Sequence, residues 1–343
     1  MKNIQLETIV LLFISILIIF IINHFRHKLS KITNLVDYPD NNRKFHSKPV
    51  PLLGGIMIFL PFILINYYLN FFENLNKTHF IIFLCCLSCM IIGLADDIKN
   101  MSYKYKFIIL SIVFFLFINL DKNLQIDKIY FSTFSKEFSI NYLSIPFTVL
   151  CLLLLVNALN LIDGINGLCI TISIILIVWL LNTFINTNHL YVVLILSLLY
   201  ILYLNLKNNI FLGDAGSLFL GCLVGLNIIF NYNFEMSKSY YAVENIFIVL
   251  MLPGIDMLRV FAERIFNKKN PFSADRKHLH HLLIAMNINE KKILIIFLLL
   301  ILSPILINNF SNIKQIYIII IYIFFYFILV AKIKKIIITQ IPI

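Results

Sequence analysis

Phe211-Leu212-Gly213-Asp214-Ala215-Gly216-Ser217 lies between two apolar runs, 190–204 and 218–230. A carboxylate at the edge of a membrane span is energetically costly, so Asp214 is expected to serve a function. The chain around it has 343 residues, of which 60% are hydrophobic and only 13% are charged. That composition lies outside the range of soluble globular domains. We therefore predict a polytopic membrane protein.

Apolar runs long enough to cross a bilayer as helices recur along the chain. They are continuous rather than alternating, which excludes a β-barrel in practice and makes the predicted fold class all-α. No small-residue cleavage site follows the first run, so it should remain as an anchor. We predict about 11 transmembrane helices in one domain, 1–343, at 4–23, 53–72, 79–95, 107–120, 144–161, 168–185, 190–204, 217–231, 244–264, 293–308 and 315–331.

The distribution of charge predicts the topology. The net charge is +11, and most Lys and Arg residues lie in the odd-numbered loops and after the last run. By the positive-inside rule these segments and the C-terminus are cytoplasmic, and the N-terminus is outside. This pattern does not call for a nucleic acid partner. All six cysteines lie within apolar runs, so a disulfide framework is not expected.

The first two polar clusters lie in odd-numbered loops. Adjacent acids, Asp96 and Asp97, repel each other unless a cation or proton lies beside them, so they indicate either a Mg²⁺ site or a solvated helix end. Basic side chains in the loop at 37–55 either anchor that loop at the membrane or hold a phosphate: Arg43, Lys44, His46 and Lys48.

Two further clusters surround the quoted stretch. Asn157, Asn160 and Asp163 recur every three residues and so share a helix face, before glycines at 164 and 167 that permit a tight turn or close approach of a ligand. Asn205 precedes the quoted stretch, and Phe211 within it either packs as an interface aromatic or stacks on a base. The glycines at 213 and 216 are expected to let backbone approach a ligand.

The fifth cluster follows a helix containing Pro253, which should kink that helix for packing or to shape a groove for a lipid. Asp256 and Arg259 come next, without an assigned role. The loop beyond them contains Arg276, His278, His280 and His281, which form a zinc site, an anion or catalytic site, or merely a basic surface. Zinc usually takes a Cys or an acid as well, and no loop holds a Cys, so the anion or catalytic site is favoured.

All five clusters fall on one predicted membrane face, which unrelated clusters would not do. Carboxylates, amides, histidines and cations gathered together match phosphoryl chemistry, in which cations neutralise a diphosphate while a positioned group assists the nucleophile. A cytoplasmic face gives access to nucleotide-activated substrates, and a kinked span gives access to a lipid.

With these motifs the chain resembles the polyprenyl-phosphate N-acetylhexosamine-1-phosphate transferases, a superfamily that also contains phospho-N-acetylmuramoyl-pentapeptide transferase. Five motifs in order carry the resemblance: Arg-Lys-x-His with Pro-x-x-Gly-Gly (43–55), Asp-Asp (96–97), Asn-x-x-Asn-x-x-Asp-Gly (157–164), Phe-x-Gly-Asp-x-Gly-Ser (211–217) and Pro-Phe-Ser-x-Asp-Arg-x-His-x-His-His (271–281). The interrupted histidines look like the branch that starts O-antigen, common antigen or teichoic acid synthesis. One departure is Asn166, where many members have a second acid.

The resemblance implies transfer of HexNAc-1-phosphate, by default GlcNAc-1-phosphate, from a UDP-sugar to undecaprenyl phosphate, giving undecaprenyl-diphospho-HexNAc and UMP. It implies Mg²⁺, with Mn²⁺ as a substitute, on Asp214 with Asp97 nearby, and Asp96 as base or phosphate positioner. The diphosphate or sugar would meet Arg276, His278, His280 and His281, the last also counted as catalytic. The remaining predicted substrate-binding residues are Arg43, Lys44, His46, Lys48, Asn157, Asn160, Asp163, Asn205 and Phe211.

The resemblance also implies a multi-pass protein of the bacterial cytoplasmic membrane with its active site facing the cytoplasm. That site would be built from loops 24–51, 96–106, 160–167, 205–217 and 265–290, and a homodimer is left open. Three other functions share part of this pattern: phospho-N-acetylmuramoyl-pentapeptide transfer, secondary transport with broken helices, and intramembrane aspartyl proteolysis. Transport is disfavoured because no internal repeat is evident, and proteolysis because the first glycine of Gly-x-Gly-Asp is absent at 211.

Overall fold

The computed structural model describes residues 2–39, 48–72, 76–181, 188–235, 242–270 and 276–340, and this part of the chain is mainly helical. Helices suit a chain of this composition because they satisfy every backbone polar group within one segment, as a bilayer interior requires. The helices are α1 (Lys2–His24), α2 (Arg26–Thr33), α3 (Gly54–Phe72), α4 (Lys77–Lys99), α5 (Tyr103–Leu120), α6 (Ser144–Ile162), α7 (Leu168–Leu181), α8 (Asn188–Leu206), α9 (Gly213–Glu235), α10 (Val243–Phe266), α11 (Leu279–Ala285), α12 (Glu290–Phe310) and α13 (Gln315–Gln340).

The helical, membrane-type character predicted from the sequence is confirmed. Within the described residues, eight helices are long and apolar enough to cross a membrane, and three shorter apolar helices accompany them: Gly54–Tyr68, Leu168–Leu181 and Tyr191–Leu206. The number of crossings therefore remains a prediction. The most buried of the eight is Gly213–Phe234, which begins at the stretch that contains Asp214.

Two short antiparallel pairs interrupt the helical fold. Strand β1 (Val36–Asp37) pairs with β2 (Val50–Pro51) directly before α3. The loop after α5 forms a hairpin of β3 (Lys128–Phe131) and β4 (Lys136–Ser139).

The chain divides into two compact units. Unit 1 comprises 1–124 and 149–227, and unit 2 comprises 125–148 and 228–343. In unit 1, α1 and α3 pack against each other and both pack on α8, α7 packs on α8, and α4 packs on α5. In unit 2, α10 packs on α12 and α13, while α11 lies against α12 and α13.

The six cysteines carry free thiols, as predicted. The Cys222 Sγ lies 3.7 Å from that of Cys85 and 3.8 Å from that of Cys86, well beyond the roughly 2.05 Å of a disulfide bond. These sulfurs are buried and pack α4 against α9.

Candidate active site

The start of α9 is held by Asp97, at the end of α4. Gly213 opens the helix with φ of +73°, and the first-turn N–H groups behind it have no partner within their own helix. The Asp97 carboxylate accepts both, from the Asp214 N–H at 2.8 Å and from the Ala215 N–H at 3.1 Å. An acid at this position also complements the positive end of the helix dipole. Asp97 thus caps α9 and fixes where Asp214 lies.

Lys106 connects the two other acids of unit 1. Its ammonium, on the first turn of α5, donates to Asp96 Oδ2 and to Asp214 Oδ2, each at 2.6 Å. The second oxygen of Asp96 accepts the Met101 N–H at 2.6 Å. One cation therefore compensates two carboxylates that would otherwise repel each other.

Asn160 adds a neutral donor from the end of α6. Its amide nitrogen donates to Asp214 Oδ1 at 2.8 Å and to Ser217 Oγ at 2.9 Å. With Lys106 on Oδ2, both oxygens of Asp214 have donors, so the orientation of this carboxylate is fixed from two helices.

The Pro-x-x-Gly-Gly segment is joined to the segment before α9 by backbone hydrogen bonds. Phe211 donates to the carbonyl of Pro51 at 2.8 Å, and Gly54 donates to that of Phe211 at 2.9 Å. A Cβ added at Gly55 would lie 2.6 Å from the Gly216 nitrogen. A Cβ at Gly213 would lie 2.7 Å from Asp97 Oδ2, and the Leu212 side chain fills the space beside Gly216. Packing within the protein therefore already favours glycine at both positions, and close approach of a ligand there stays a prediction.

Asp163 follows the last turn of α6 and is partly exposed. Desolvation, reinforced by the negative charges of Asp214 and Asp97, raises the pKa of the Asp163 carboxyl well above its usual range. A cation arriving among these acids would favour ionisation of Asp163.

Unit 2 contains a second polar cluster, centred on the buried Asp256 of α10. Its Oδ2 lies 2.8 Å from His278 Nδ1. Its Oδ1 accepts from the Leu279 N–H at 2.9 Å, the Tyr326 hydroxyl at 2.7 Å and the Arg259 guanidinium at 2.8 Å. One carboxylate thus joins α10, α13 and the start of α11.

The three histidines differ in their surroundings. The rings of His278 and His280 are parallel, with centroids 5.9 Å apart, and the His280 and His281 centroids lie 4.1 Å apart. His280 is fully buried, and desolvation together with neighbouring histidines lowers its pKa to about 3. At neutral pH His280 is therefore uncharged, whereas His281 is only partly buried.

Comparison with known proteins identifies the family of this chain. The model of glycosyl transferase family 4 matches residues 79–231. An undecaprenyl-phosphate alpha-N-acetylglucosaminyl 1-phosphate transferase of Thermotoga maritima is 31% identical over 257 residues, covering 74% of each chain. The chain belongs to the polyprenyl-phosphate N-acetylhexosamine-1-phosphate transferase family.

Other members are similar over comparable lengths. A probable undecaprenyl-phosphate N-acetylglucosaminyl 1-phosphate transferase of Bacillus subtilis is 28% identical over 302 residues, covering 86% of this chain and 82% of the relative. An undecaprenyl-phosphate alpha-N-acetylglucosaminyl 1-phosphate transferase of Escherichia coli K12 is 27% identical over 294 residues, covering 80% and 76%. The family predicted from the five motifs is confirmed.

In this family 4 protein the structure brings together Asp96, Asp97, Asn160 and Asp214, together with the turn that carries Asp163. Asn157 lies on the same helix as Asn160 and donates to the carbonyl of Leu153 at 2.7 Å. Among the other predicted residues, Lys48 and Arg276 are exposed and Phe211 is partly buried. Three fall outside the described residues: Arg43, Lys44 and His46.

Asn205 was predicted to bind substrate, and the structure shows what its side chain does within the protein. The side chain is buried; its oxygen accepts the Gly167 N–H at 2.5 Å, and its nitrogen donates to the Ile210 carbonyl at 2.9 Å. Asn166, the departure from the family pattern, donates to Asn208 at 2.7 Å. These amides tie the turn after α6 to the loop before α9.

Lys106, Asp256 and Arg259 had no role predicted from the sequence. Each is a charged residue on an apolar helix, and such residues are costly enough to suggest a function. Their charge was the available signal. The partners of Lys106 could not be identified from sequence, because Lys106 and Asp214 are 108 positions apart. Asp256 and Arg259 are only three positions apart on one helix, but their contacts to His278 and Tyr326 come from distant segments.

Close packing of α4 on α9 gives a first prediction. A Cβ at Gly93 would lie 2.4 Å from Ala215 Cα and 2.5 Å from Ala215 N, so Gly93→Ala must push the two helices apart. We expect a loss of roughly 1–3 kcal/mol of stability, measured as a lower Tm in detergent, with reduced activity. Gly254→Ala is the matched control, because a Cβ there meets nothing within 4 Å. Equal Tm values for the two variants would contradict the prediction.

Proposed function

We propose that this protein transfers HexNAc-1-phosphate, with GlcNAc-1-phosphate as the default, from a UDP-sugar to undecaprenyl phosphate. The products are undecaprenyl-diphospho-HexNAc and UMP, and the reaction is the first membrane step of a surface polysaccharide. Membership of the family supports the reaction class. The observation that carries the proposal for this chain is the position of the Lys106 ammonium between Asp96 and Asp214. The acid cluster thus holds a positive charge, and phosphoryl transfer needs positive charges that neutralise the phosphates.

The acid cluster has a donor set that fits Mg²⁺. Its ligands would be carboxylate oxygens, which this hard ion prefers while it retains waters and binds substrate phosphates. We propose Asp214 as the principal ligand, with Asp96 beside it because both acids already share one cation. Asp97 remains a candidate ligand, although both of its oxygens accept backbone N–H groups. When bound, the metal would neutralise charge on the diphosphate.

The proposed reaction is a single displacement. An oxygen of the lipid phosphate attacks the phosphorus that carries the sugar, and the bond from that phosphorus to the oxygen of UMP breaks. A phosphate monoester has a second pKa near 6, so much of the acceptor is already dianionic at neutral pH and needs no strong base. Lys106, held in place by Asp96, would orient the attacking phosphate by donating to its oxygens.

A covalent aspartyl-phosphate on Asp96 or Asp97 is the alternative to direct attack. Both carboxylates already accept hydrogen bonds that fix them in place, Asp97 from two backbone N–H groups and Asp96 from Lys106 and Met101. Recovery of a peptide phosphorylated at either aspartate, after reaction with labelled donor, would refute direct attack.

The finer properties of the protein are part of the same proposal. We place it in the bacterial cytoplasmic membrane with about eleven crossings, the N-terminus outside and the acid cluster on the cytoplasmic side. The basis is the charge distribution of the loops, judged by the positive-inside rule.

Purified protein in detergent tests the function directly. We expect UMP release from UDP-GlcNAc that requires both undecaprenyl phosphate and Mg²⁺, with the lipid product identified by mass spectrometry. The donor panel should include UDP-GalNAc, other UDP-HexNAc sugars and UDP-MurNAc-pentapeptide, since a pocket that differs by one hydroxyl cannot be inferred from the fold. Release only from the pentapeptide donor would assign the peptidoglycan reaction, and no release from any donor would refute the proposal.

A further inference from the structure

The loop that leads into α11 is held by α10 at three consecutive residues. Arg259 donates through its guanidinium to the carbonyl of Lys277 at 2.8 Å. Asp256 accepts from the ring of His278 and from the Leu279 N–H, at 2.8 and 2.9 Å. A surface loop would not need three successive anchors from two buried charges.

The anchors are themselves fixed from α13. The Tyr326 hydroxyl donates to Asp256 Oδ1 at 2.7 Å and accepts from Arg259 Nε at 2.8 Å. Glu263 accepts from Arg259 and from Lys334, at 2.8 and 2.6 Å. Asp256 and Arg259 are buried, and charged groups that are buried and hydrogen-bonded in this way are held rigidly.

The Asp256 contact decides which nitrogen of His278 carries a proton. A carboxylate only accepts hydrogen bonds, so Nδ1 must be the donor and Nε2 is the atom left for another partner. Within the described residues, His278 Nε2 is buried and has no hydrogen-bond partner. A buried polar atom without a hydrogen bond costs roughly 1–3 kcal/mol, so a ligand that donates a hydrogen bond to this nitrogen would remove that cost.

We propose that Asp256 is a positioning residue, which fixes the ring and tautomer of His278 so that Nε2 serves the phosphate-bearing substrates, with Arg259 and Tyr326 as its supports. The kinetic part of this inference rests on the proposed function. Asp256 itself is assigned no contact with substrate, because its two oxygens already take four donors from the protein.

Asp256→Asn separates positioning from packing, because the side chains are nearly the same size. The amide oxygen can keep the donors from Arg259, Tyr326 and Leu279, which leaves the amide nitrogen facing His278 Nδ1. That ring nitrogen must then accept, and the proton moves to Nε2. Packing is retained while the tautomer is reversed.

The test is a double-mutant cycle on UMP release with full kinetics. We expect Asp256→Asn to lower kcat/KM by about tenfold to a hundredfold, the range for residues that orient a functional imidazole. On a His278→Ala background the same change should have less than about a twofold effect, since the two residues act as a unit. Equal losses on both backgrounds, or no loss in the single variant, would overturn the proposal.

Two further variants guard against a folding defect. Tyr326→Phe removes one hydrogen bond to Asp256 and should cause a smaller loss that also vanishes on the His278→Ala background. Glu244→Gln is the matched control, because Glu244 is a buried acid of α10 that accepts from the N–H groups of Ser132 and Thr133 instead. If Glu244→Gln and Asp256→Asn had equal Tm values and lost the same kcat/KM, the role of Asp256 would be merely structural and the proposal would be overturned.

Solid-state NMR of labelled histidine gives a readout that does not depend on the reaction. With His278 assigned by its loss in His278→Ala, its Nδ1 should be protonated in the wild type and unprotonated in Asp256→Asn. An unchanged pattern would overturn the positioning inference even in an active enzyme. If no UDP-sugar in the donor panel supported UMP release, the proposed function would be refuted. The NMR result would then decide by itself whether Asp256 fixes the tautomer of His278.

Discussion

Asp214→Asn is expected to lower kcat for UMP release by about a hundredfold to a thousandfold, the range for removing a preorganised electrostatic group from an active site. The wild-type carboxylate accepts from Lys106 on one oxygen and from Asn160 on the other. An amide has only one acceptor, so its NH₂ group must face one of these donors. The variant therefore loses a charge and also disorders the acid cluster.

Asp121→Asn is the matched control for that experiment. Asp121 is also a buried acid of unit 1, and it accepts from the Thr78 hydroxyl at 2.6 Å and the Asn123 N–H at 2.9 Å, away from the acid cluster. We expect it to retain kcat within a few-fold of wild type. Near-normal turnover by Asp214→Asn would show that the acid cluster is not the catalytic centre.

Lys106→Met should lower kcat/KM by roughly a hundredfold, equivalent to two charge-assisted hydrogen bonds of about 1.5 kcal/mol each. Without the ammonium, Asp96 and Asp214 lose their shared counter-charge and the acceptor phosphate loses a donor. The two acids then attract cations more strongly, so half-saturation should occur at a lower Mg²⁺ concentration. Titration of UMP release with Mg²⁺ measures both effects.

Lys104→Met provides the control on the same helix turn. Lys104 is exposed, and exposed charges contribute little to stability, so both kcat/KM and the Mg²⁺ response should stay near wild type. If Lys106→Met raised the Mg²⁺ requirement instead, Lys106 would be supporting the metal site rather than sharing its carboxylates.

Sequence and structure agree best where the underlying physics is local. Helix α9 was expected as an apolar run at 217–231 and extends over Gly213–Glu235. The acids at 96–97 were expected beyond the end of a span, but α4 continues through them to Lys99. Boundaries of this kind shift because a cap such as Asn100, with φ of +49°, ends a helix more sharply than a change of hydropathy.

The same distinction applies to the glycines. Gly213 was correctly singled out within its motif, and its positive φ is a local property that favours glycine. What fills the space beside it, the carboxylate of Asp97, depends on a residue more than a hundred positions away. This packing reason for the glycine could not be predicted, because sequence does not show which helices are neighbours.

By itself, the sequence determined that the chain is a helical membrane protein and that it belongs to its family, and it predicted roles for Asp96, Asp97 and Asp214. The membrane fold and the attention to these acids follow from the free energy of placing apolar runs and charges in a bilayer, which each segment determines for itself. The family follows from the five motifs in order. Only the tertiary structure decided that Lys106 joins two acids, that Asp97 caps α9 and that Asp256 orients His278. Each of these depends on which helices pack together. A hydrogen bond requires a donor–acceptor distance that is correct to a few tenths of an ångström, and these donors and acceptors are far apart in the chain.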